Sequence, residues 1–263
     1  RSYVSQAALR QRAASRSGVA AGRFSDPGLA YQWHYTNSGN NAFDKTNSTG
    51  ETLAGSIAGC DVGCYEAWQK CTGDPSVIVA VLDDGVMYTH PDLAGNIWVN
   101  DKEELYAGTD ADGNGYKDDK YGYNFVHNTA AISWTDVSDI GHGTHVSGTI
   151  AAMNNGYGVC GIAGGDGTKD SGVKIMICQV FAGENSVSLN GEAQAIKYAA
   201  DNGAVILQCS WGYNSSEANE VEGYSPGPAT EKEWADTYPP EKEILDYFIN
   251  NAGSPNGVID GGI

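Results

Sequence analysis

The sequence is poor in basic residues and has no long apolar run. Its 15 lysines and arginines are outnumbered by 33 aspartates and glutamates, which gives a formal net charge of -18. This excess of negative charge argues against nucleic acid or an anionic membrane surface as a partner. No apolar stretch approaches the ~20 residues that a membrane helix requires. The sequence therefore predicts neither a nucleic-acid-binding protein nor a membrane span.

Cysteines are also few. Pairing all of them would need a bridge between two groups of three, or partners outside the chain. Cys178 and Cys209 fall in predicted buried strands, where a thiol serves as a small core residue. The cysteines alone leave the redox compartment undecided, and the two groups are Cys60, Cys64, Cys71 and Cys160, Cys178, Cys209.

Three aliphatic segments predict the sheet. Residues 77–86, Val-Ile-Val-Ala-Val-Leu-Asp-Asp-Gly-Val, form an apolar run that ends in two carboxylates and a glycine. Such a run is typical of a strand buried on both faces of a parallel sheet. Residues 173–180 and 204–209 have the same character, with a helix between them that Ser188 or Asn190 can cap. This order predicts an α/β fold with a doubly wound, mostly parallel sheet flanked by helices.

The two ends of the sequence differ from this middle part. Residues 1–23 predict a tail or the remnant of a pro-segment, and the start at Arg1 rather than methionine predicts a processed product. The 263 residues are long enough for one large α/β domain or a domain and a half, and residues 24–263 are assigned to the domain that follows the tail. Residues 225–240 hold four prolines and several acids and predict an extended surface insertion, and residues 241–252 have helical apolar spacing.

Residues 141–152, Gly-His-Gly-Thr-His-Val-Ser-Gly-Thr-Ile-Ala-Ala, predict a helix that starts at a histidine. Val146, Ile150 and Met153 give this helix one apolar face. His142 lies at its start beside glycines, and histidine can both take and give a proton near neutral pH. His142 is therefore a candidate general base. The alternative is a polar residue that caps a packed helix.

These two segments together resemble a known family. Residues 83–85 (Asp-Asp-Gly) with 90–93 (His-Pro-Asp-Leu), followed by 141–149, resemble the aspartate and histidine boxes of the subtilisin-like serine peptidases. The Asp-Asp-Gly form is similar to the kexin and furin branch, whereas the Gly-Thr-His-Val ending is closer to bacterial subtilisins. The resemblance implies that Asp83 orients the imidazole of His142, which takes a proton from a serine during attack on a peptide bond.

The serine of such a triad is not found in the sequence, because none of its four Gly-Thr pairs is followed by serine. The resemblance therefore implies a complementary carboxyl-terminal half that carries the serine and the oxyanion asparagine. It also predicts that this chain alone is inactive and holds only part of the catalytic domain and its sheet. The expected whole is a secreted, cell-surface or periplasmic serine endopeptidase that acts on peptides or proteins.

Two further segments resemble the family's substrate-binding edges. An extended peptide can bind by adding a strand to a sheet edge. For residues 210–212, the alternative is a strand end followed by a turn with a packed tryptophan. The residues implied are Ser210, Trp211 and Gly212 on one edge and Gly183, Glu184 and Asn185 on the other.

An acidic loop predicts a calcium site. Residues 110–119, Asp-Ala-Asp-Gly-Asn-Gly-Tyr-Lys-Asp-Asp, place oxygen-bearing side chains at alternate positions with glycines between them. This pattern suits Ca²⁺, a hard cation that takes several oxygen ligands, but the twelfth position is Tyr121 rather than the glutamate of an EF-hand. The alternative is a solvated acidic loop. The predicted ligands are Asp110, Asp112, Asn114, Tyr116, Asp118 and Asp119.

A second calcium site is implied by the resemblance alone, around residues 153–159. Side chains and backbone carbonyls would share the ion there, and some members of the family add a further aspartate. Asn-Asn-Gly after a helix also predicts a left-handed helix terminus. The implied ligands are Asp26, Asp92, Met153, Asn155, Tyr157 and Val159.

Other functions stay open at this point. The chain can be a non-catalytic module that binds peptides, or a structural domain that calcium stabilises. His142 and His145 also form a His-x-x-His pair, but the glutamate of the zinc motif His-Glu-x-x-His is missing.

Overall fold

The computed structural model describes residues 24–37, 39, 57–136, 139–212 and 227–263. These residues form two compact units. One contains the described residues up to Asp74 together with Gly148–Gly172, and the other contains those of Pro75–Ser147 and Val173–Ile263. The predicted tail at 1–23 lies outside the described residues, so the domain boundary at residue 24 stays a prediction.

The described part of the second unit contains six strands: β1 Ile78–Asp83, β2 Gly122–Asn124, β3 Lys174–Gln179, β4 Phe181–Ala182, β5 Asn185–Ser186 and β6 Ile206–Cys209. Four of them form one sheet in the order β2-β3-β1-β6. All neighbours in this sheet are parallel. β4 and β5 form a separate antiparallel hairpin.

β1 is buried over its whole length. Ile78, Ala80 and Leu82 contribute to the main hydrophobic core. Val79 and Val81, which alternate with them along the strand, are buried as well. Both faces of β1 are therefore covered, as a continuous aliphatic run predicts. The strand ends at Asp83, which places a carboxylate at the carboxyl edge of the sheet.

The α-helices of the described residues are α1 Cys64–Ala67, α2 His142–Ala151, α3 Leu189–Asp201, α4 Glu231–Thr237 and α5 Pro239–Asn251. Ser188 caps α3, as the sequence predicts, because its Oγ accepts a hydrogen bond from the Gly191 N–H. α3 and α5 contact each other and share the core with β1 and β3. The prediction of an α/β fold with a mostly parallel sheet flanked by helices is confirmed. Within the described residues, no helix is both long and apolar enough to span a bilayer.

The prediction of an extended insertion at 225–240 is wrong for the part that the structure describes, because that part contains α4. Thr230 Oγ1 accepts a hydrogen bond from the Glu233 N–H and caps this helix. Pro239 occupies the first turn of α5, where a missing N–H costs nothing. Prolines here start a helix rather than prevent one.

The two cysteines predicted to be core residues differ. Cys178 is buried, as predicted, whereas Cys209 is exposed. β6 lies at the edge of the four-stranded sheet, which leaves its residues incompletely covered. Both cysteines are in register with Leu82 of β1. Two strand spacings, roughly 9–10 Å, therefore separate them, which is too far for a disulfide. The thiols of Cys60, Cys64, Cys71, Cys178 and Cys209 are free.

The first unit has its own small core of Tyr35, Cys64, Trp68 and Cys160. The Tyr35 hydroxyl donates a hydrogen bond to the Cys160 carbonyl at 2.7 Å. Trp68 Nε1 donates to the Ile162 carbonyl at 2.8 Å. These buried donors are thereby satisfied, and they join the residues before position 74 to the segment after position 148.

Candidate active site

His142 and Asp83 are in direct contact. His142 Nδ1 lies 2.8 Å from Asp83 Oδ1 and 3.0 Å from Oδ2. The Asp83 side chain is 3% exposed, whereas that of His142 is 45% exposed. The end of β1 fixes the carboxylate, and the start of α2 fixes the imidazole. A buried carboxylate therefore holds an imidazole that stays accessible to solvent.

This contact raises the pKa of His142. The hydrogen bond to Asp83 is the largest cause, partial burial of the ring opposes it, and the negative charges of Asp83 and Asp84 add to it. The stabilisation from the pair is complete below the ordinary pKa of histidine and is lost as the pH rises through the raised pKa. When Nδ1 donates its proton to Asp83, Nε2 has a free lone pair and can accept a proton.

Asp84 has a structural role that the sequence analysis missed. Its Oδ1 accepts a hydrogen bond from the Gly143 N–H at 2.6 Å, and its Oδ2 accepts one from the His142 N–H at 3.1 Å. A carboxylate from the end of β1 thus caps α2. The residue just before the helix, Gly141, has no side chain with which to cap it. The lack of a capping side chain at Gly141 is the sequence signal that could have indicated an acceptor elsewhere in the chain.

Ser210, Trp211 and Gly212 follow β6 directly, at the carboxyl edge of the sheet. Trp211 Nε1 donates a hydrogen bond to the Leu82 carbonyl at 2.8 Å. The indole also meets Phe181 edge to face, with 5.8 Å between ring centroids. Trp211 therefore anchors this segment against β1 and β4. Its predicted part in peptide binding stays a prediction.

Gly183, Glu184 and Asn185 belong to the β4–β5 hairpin, and their predicted part in peptide binding stays a prediction. Asn185 pairs with Ala182 in the β4–β5 hairpin, and Gly183 and Glu184 make the turn. Gly183 has a φ of 57°, which suits the first position of a two-residue hairpin turn. Its N–H already donates to Asp139 Oδ1 at 2.8 Å. The N–H of Gly183 is therefore bound to the Asp139 side chain.

A cavity of about 380 Å³ lies between the hairpin and the segment after β6. Its wall is largely apolar, with the Glu192 side chain contributed by the first turn of α3. Burial raises the pKa of Glu192 to about 7, and the charge of Glu241 adds to the effect. The lining residues are Val180, Phe181, Ser186, Val187, Leu189, Glu192, Trp211 and Gly212.

The raised pKa of Glu192 predicts that the fold loses stability as the pH rises. The unfolded chain releases this proton near 4.5, whereas the folded chain holds it until about pH 7. The free energy of unfolding should therefore fall by about 1–2 kcal/mol between pH 5 and pH 8, after allowance for solvent screening. Glu192→Gln should remove most of this fall, as measured by thermal unfolding across that range.

Glu243→Gln, on the exposed side of α5, is the matched control and should retain the pH dependence. The groups that face Glu192 electrostatically are Glu241 of α5 and Cys209 of β6. An unchanged pH slope in Glu192→Gln would assign the dependence to another group.

The predicted calcium loop gathers three carboxylates, one of which the sequence analysis missed. Oxygens of Glu103, Asp112 and Asp119 all lie within 4.8 Å of one another. Glu103 and Asp119 have no exposed surface. Burial raises the pKa of Asp119, and hydrogen bonds from Tyr198 and Asn114 oppose that rise. The neighbouring Glu104 is exposed and pairs with Lys120. Two adjacent glutamates thus have different surroundings, and no local sequence pattern distinguishes Glu103 from Glu104.

Asn114, also predicted, contacts the cluster, because its Nδ2 donates to Asp119 Oδ2 at 2.9 Å and to Asp112 Oδ2 at 3.4 Å, whereas Asp110 and Asp118 are not part of the group of three. Asp110 accepts hydrogen bonds from the Asn114 and Gly115 N–H groups. Asp118 Oδ1 accepts one from the Gly108 N–H at 2.7 Å. The side chain of Tyr116 packs among aromatic rings. Within the described part of the chain, the acidic cluster contains no histidine, so it gives no support to the zinc alternative at His142 and His145.

Asp26 organises the second predicted calcium loop in the first unit. Its Oδ1 accepts hydrogen bonds from the N–H groups of Asn155 and Gly156, both at 3.0 Å. Its Oδ2 is buried and has no hydrogen-bond partner among the described residues. Asn155 Oδ1 accepts a hydrogen bond from the Tyr157 N–H. Asp92 is a buried residue of the second unit, and its part in this site stays a prediction, as do those of Met153 and Val159.

The sequence matches the profile of the Subtilase family over residues 74–245. Subtilisin-like protease 1 of Plasmodium vivax is 38% identical over 139 residues, which is 52% of this chain and 20% of that protein. Fervidolysin of Fervidobacterium pennivorans is 34% identical over 175 residues, which is 62% of this chain and 20% of that protein. The matched segments thus span about a fifth of the length of these relatives.

A solved structure shows the same fold. The serine protease of Aeromonas sobria, in complex with its chaperone, has a TM-score of 0.56 at 23% identity, covering 90% of this chain and 33% of that protein. The family profile includes β1, which ends in the aspartate box, and α2, which carries the histidine box. It also includes β6 and residues 210–212, which follow that strand. The chain therefore belongs to the subtilase family.

Proposed function

We propose that this chain is the amino-terminal part of the catalytic domain of a subtilisin-type serine endopeptidase. The observation that carries the proposal is the contact of His142 Nδ1 with the buried carboxylate of Asp83 at 2.8 Å. In this assignment Asp83 accepts the Nδ1 proton and fixes the tautomer of the ring. Nε2 of His142 then takes the proton of a serine hydroxyl as it attacks a peptide carbonyl.

The serine and the oxyanion asparagine belong, in this proposal, to a complementary carboxyl-terminal half. No Gly-Thr pair in the sequence is followed by serine. At β6, the Ile263 N–H donates to the Val205 carbonyl and its own carbonyl accepts from the Leu207 N–H, both at 2.9 Å. This is the bonding pattern of a parallel neighbour strand. This bonding pattern supports continuation of the sheet beyond β6. Because the serine is not in the sequence, the chain alone is proposed to be inactive.

The substrate is proposed to be an extended peptide. The cavity between the β4–β5 hairpin and Trp211 supports this assignment, since it offers an apolar space for one substrate side chain. The backbone at Ser210 and Gly212 borders the carboxyl edge of the sheet, where open α/β sheets bind their ligands. Ser210, Trp211 and Gly212 are proposed as the binding edge, and Gly183, Glu184 and Asn185 as the opposite wall.

Calcium is proposed to bind at both predicted loops. At the acidic loop, Glu103, Asp112 and Asp119 fit a hard cation, because three carboxylates held this close repel one another without a positive charge. At the other loop, the unpartnered buried Oδ2 of Asp26 supports a cation. Bound calcium would supply positive charge that stabilises these loops. A secreted, cell-surface or periplasmic location is proposed with it, and the strongly acidic composition supports this location.

Hydrolysis of a fluorogenic peptide tests the proposed activity. The protein with its carboxyl-terminal half should hydrolyse the peptide, and a serine-reactive fluorophosphonate should both label it and stop turnover. The 263-residue chain alone should do neither. Absence of labelling and turnover in the longer protein would favour the non-catalytic peptide-binding module. Fluorophosphonate-sensitive turnover by the isolated chain would place the nucleophile within these 263 residues and contradict the proposal.

A further inference from the structure

Helix α2 lacks a cap of its own. Gly141 precedes the helix, and its carbonyl accepts the first helical hydrogen bond from the His145 N–H. It has no side chain, and its φ of 72° lies in the left-handed region that favours glycine. The first N–H groups of a helix need acceptors from elsewhere when the residue before it supplies none. In α2 the first two of these groups donate to Asp84.

The loop after β1 contacts the first turn of α2 through four successive features. Asp83 accepts from the imidazole of His142, and Asp84 accepts from the two backbone N–H groups. The Met87 N–H donates to Thr144 Oγ1 at 3.0 Å. The loop also approaches Gly143 so closely that an added Cβ there would lie 2.3 Å from the Gly85 carbonyl oxygen. The contact between Asp83 and His142 is thus one part of a larger contact between a strand end and a helix start.

We propose that Asp84 is a positioning residue of the candidate active site, which holds the start of α2 so that His142 Nδ1 stays within hydrogen-bond distance of Asp83. Asp83 is the last residue of β1 and Asp84 follows it directly, and the groups they hold belong to the same residue or its neighbour. A shift of the helix start relative to Asp84 must therefore also change the distance from Nδ1 to Asp83.

The negative charge of Asp84 also fits its proposed role as a positioning residue. Asp84 is 9% exposed, so its carboxylate is nearly removed from water. Two backbone N–H groups and the positive end of the α2 dipole compensate the charge. Asp84 can therefore hold the helix beside Asp83 and still leave the imidazole bonded to Asp83 alone. A serine or threonine at this position would offer a single oxygen for two donors.

The test uses Asp84→Ala and Asp84→Asn in the isotopically labelled 263-residue chain, with the ring of His142 observed by NMR titration. In Asp84→Ala the resonance of the His142 Nδ1 proton should weaken because the ring leaves Asp83, and the pKa of His142 should fall further than in Asp84→Asn, which removes the same negative charge. Asp84→Asn keeps the shape and one acceptor oxygen, so it should have an intermediate effect. Thr230→Ala removes the cap of α4, far along the chain, and is the matched control for loss of a helix cap.

Activity adds a second measurement, which rests on the proposed peptidase function. In the protein with its carboxyl-terminal half, Asp84→Ala should lower kcat about 100-fold with KM within twofold, and Asp84→Asn about tenfold. Thr230→Ala should change neither kcat nor the His142 titration. An unchanged His142 titration in folded Asp84→Ala or Asp84→Asn would overturn the inference. Lack of peptidase activity in the unmutated protein would instead contradict the proposed function, and the NMR result would still decide the role of Asp84.

Discussion

Replacing His142 with alanine is expected to reduce the kcat for peptide hydrolysis by about 10⁶-fold, which is the loss that follows removal of the general base from a serine peptidase triad. Asp83→Asn should lower kcat by about 10⁴-fold, because an amide in place of the carboxylate leaves the ring in the wrong tautomer. The 2.8 Å contact between Nδ1 and Oδ1 makes His142 dependent on Asp83 in this way. Both variants are measured in the protein with its carboxyl-terminal half.

The pH profile of kcat/KM distinguishes this mechanism from a loss of fold. The hydrogen bond to Asp83 is the largest cause of the raised pKa of His142. Asp83→Asn should therefore move the acidic limb of the profile to lower pH, since the imidazolium loses its main stabilising partner. His145→Ala, on the same helix, should lose less than tenfold. Equal losses in His142→Ala and His145→Ala would contradict the triad and support a shared metal or structural role.

The aspartate–histidine pair could be predicted because its signals are local. The aliphatic run before Asp83 predicts a buried strand that ends in a carboxylate, and the glycine-flanked His142 predicts a helix start. The order of the two segments then resembles the subtilase boxes. β1 and α2 begin and end within a few residues of the predicted bounds. Strong apolar periodicity fixes such elements with little help from the rest of the chain.

The roles of Asp84 and Glu103 could not be predicted because they depend on distant partners. Asp84 meets the N–H groups of His142 and Gly143 only when β1 and α2 come together. Glu103 precedes the acidic loop and reaches it by a fold of the backbone, with one oxygen accepting from the Asp112 N–H at 3.1 Å. The local pattern instead favoured Asp110 and Asp118, whose carboxylates accept hydrogen bonds from the N–H groups of Asn114 and Gly108. Alternating oxygens in a sequence do not reveal which of them the loop turns inward.

The exposure of Cys209 has a similar cause. A short aliphatic segment predicts a strand, but it does not reveal whether that strand lies in the centre of a sheet or at its edge. β1 and β6 carry comparable apolar runs, yet β1 has neighbours on both sides and β6 pairs with one strand of the described sheet. Burial of Cys209 would require a further neighbour beside the end of β6.

Removing calcium is expected to lower the Tm by about 10 °C. A ligand present at a thousand times its Kd stabilises the folded state by about 4 kcal/mol, and each kcal/mol moves the Tm of a domain of this size by roughly 2–4 °C. The acidic loop should be a main source of this effect, because Glu103 and Asp119 are fully buried and lie beside Asp112. Thermal unfolding in calcium and in excess chelator measures the difference.

Glu103→Gln makes the expectation specific, since it preserves shape and removes one of three crowded negative charges. In calcium the variant should unfold at a lower temperature than the unmutated chain, because the site has lost a charged ligand. In chelator the order should reverse, because the loss of one charge relieves repulsion among the carboxylates. Glu104→Gln changes the exposed neighbour that pairs with Lys120 and should leave the calcium effect unchanged. Equal responses of Glu103→Gln and Glu104→Gln to calcium would contradict a calcium site and indicate a solvated acidic loop. Two adjacent glutamates should respond differently only if one of them binds the ion.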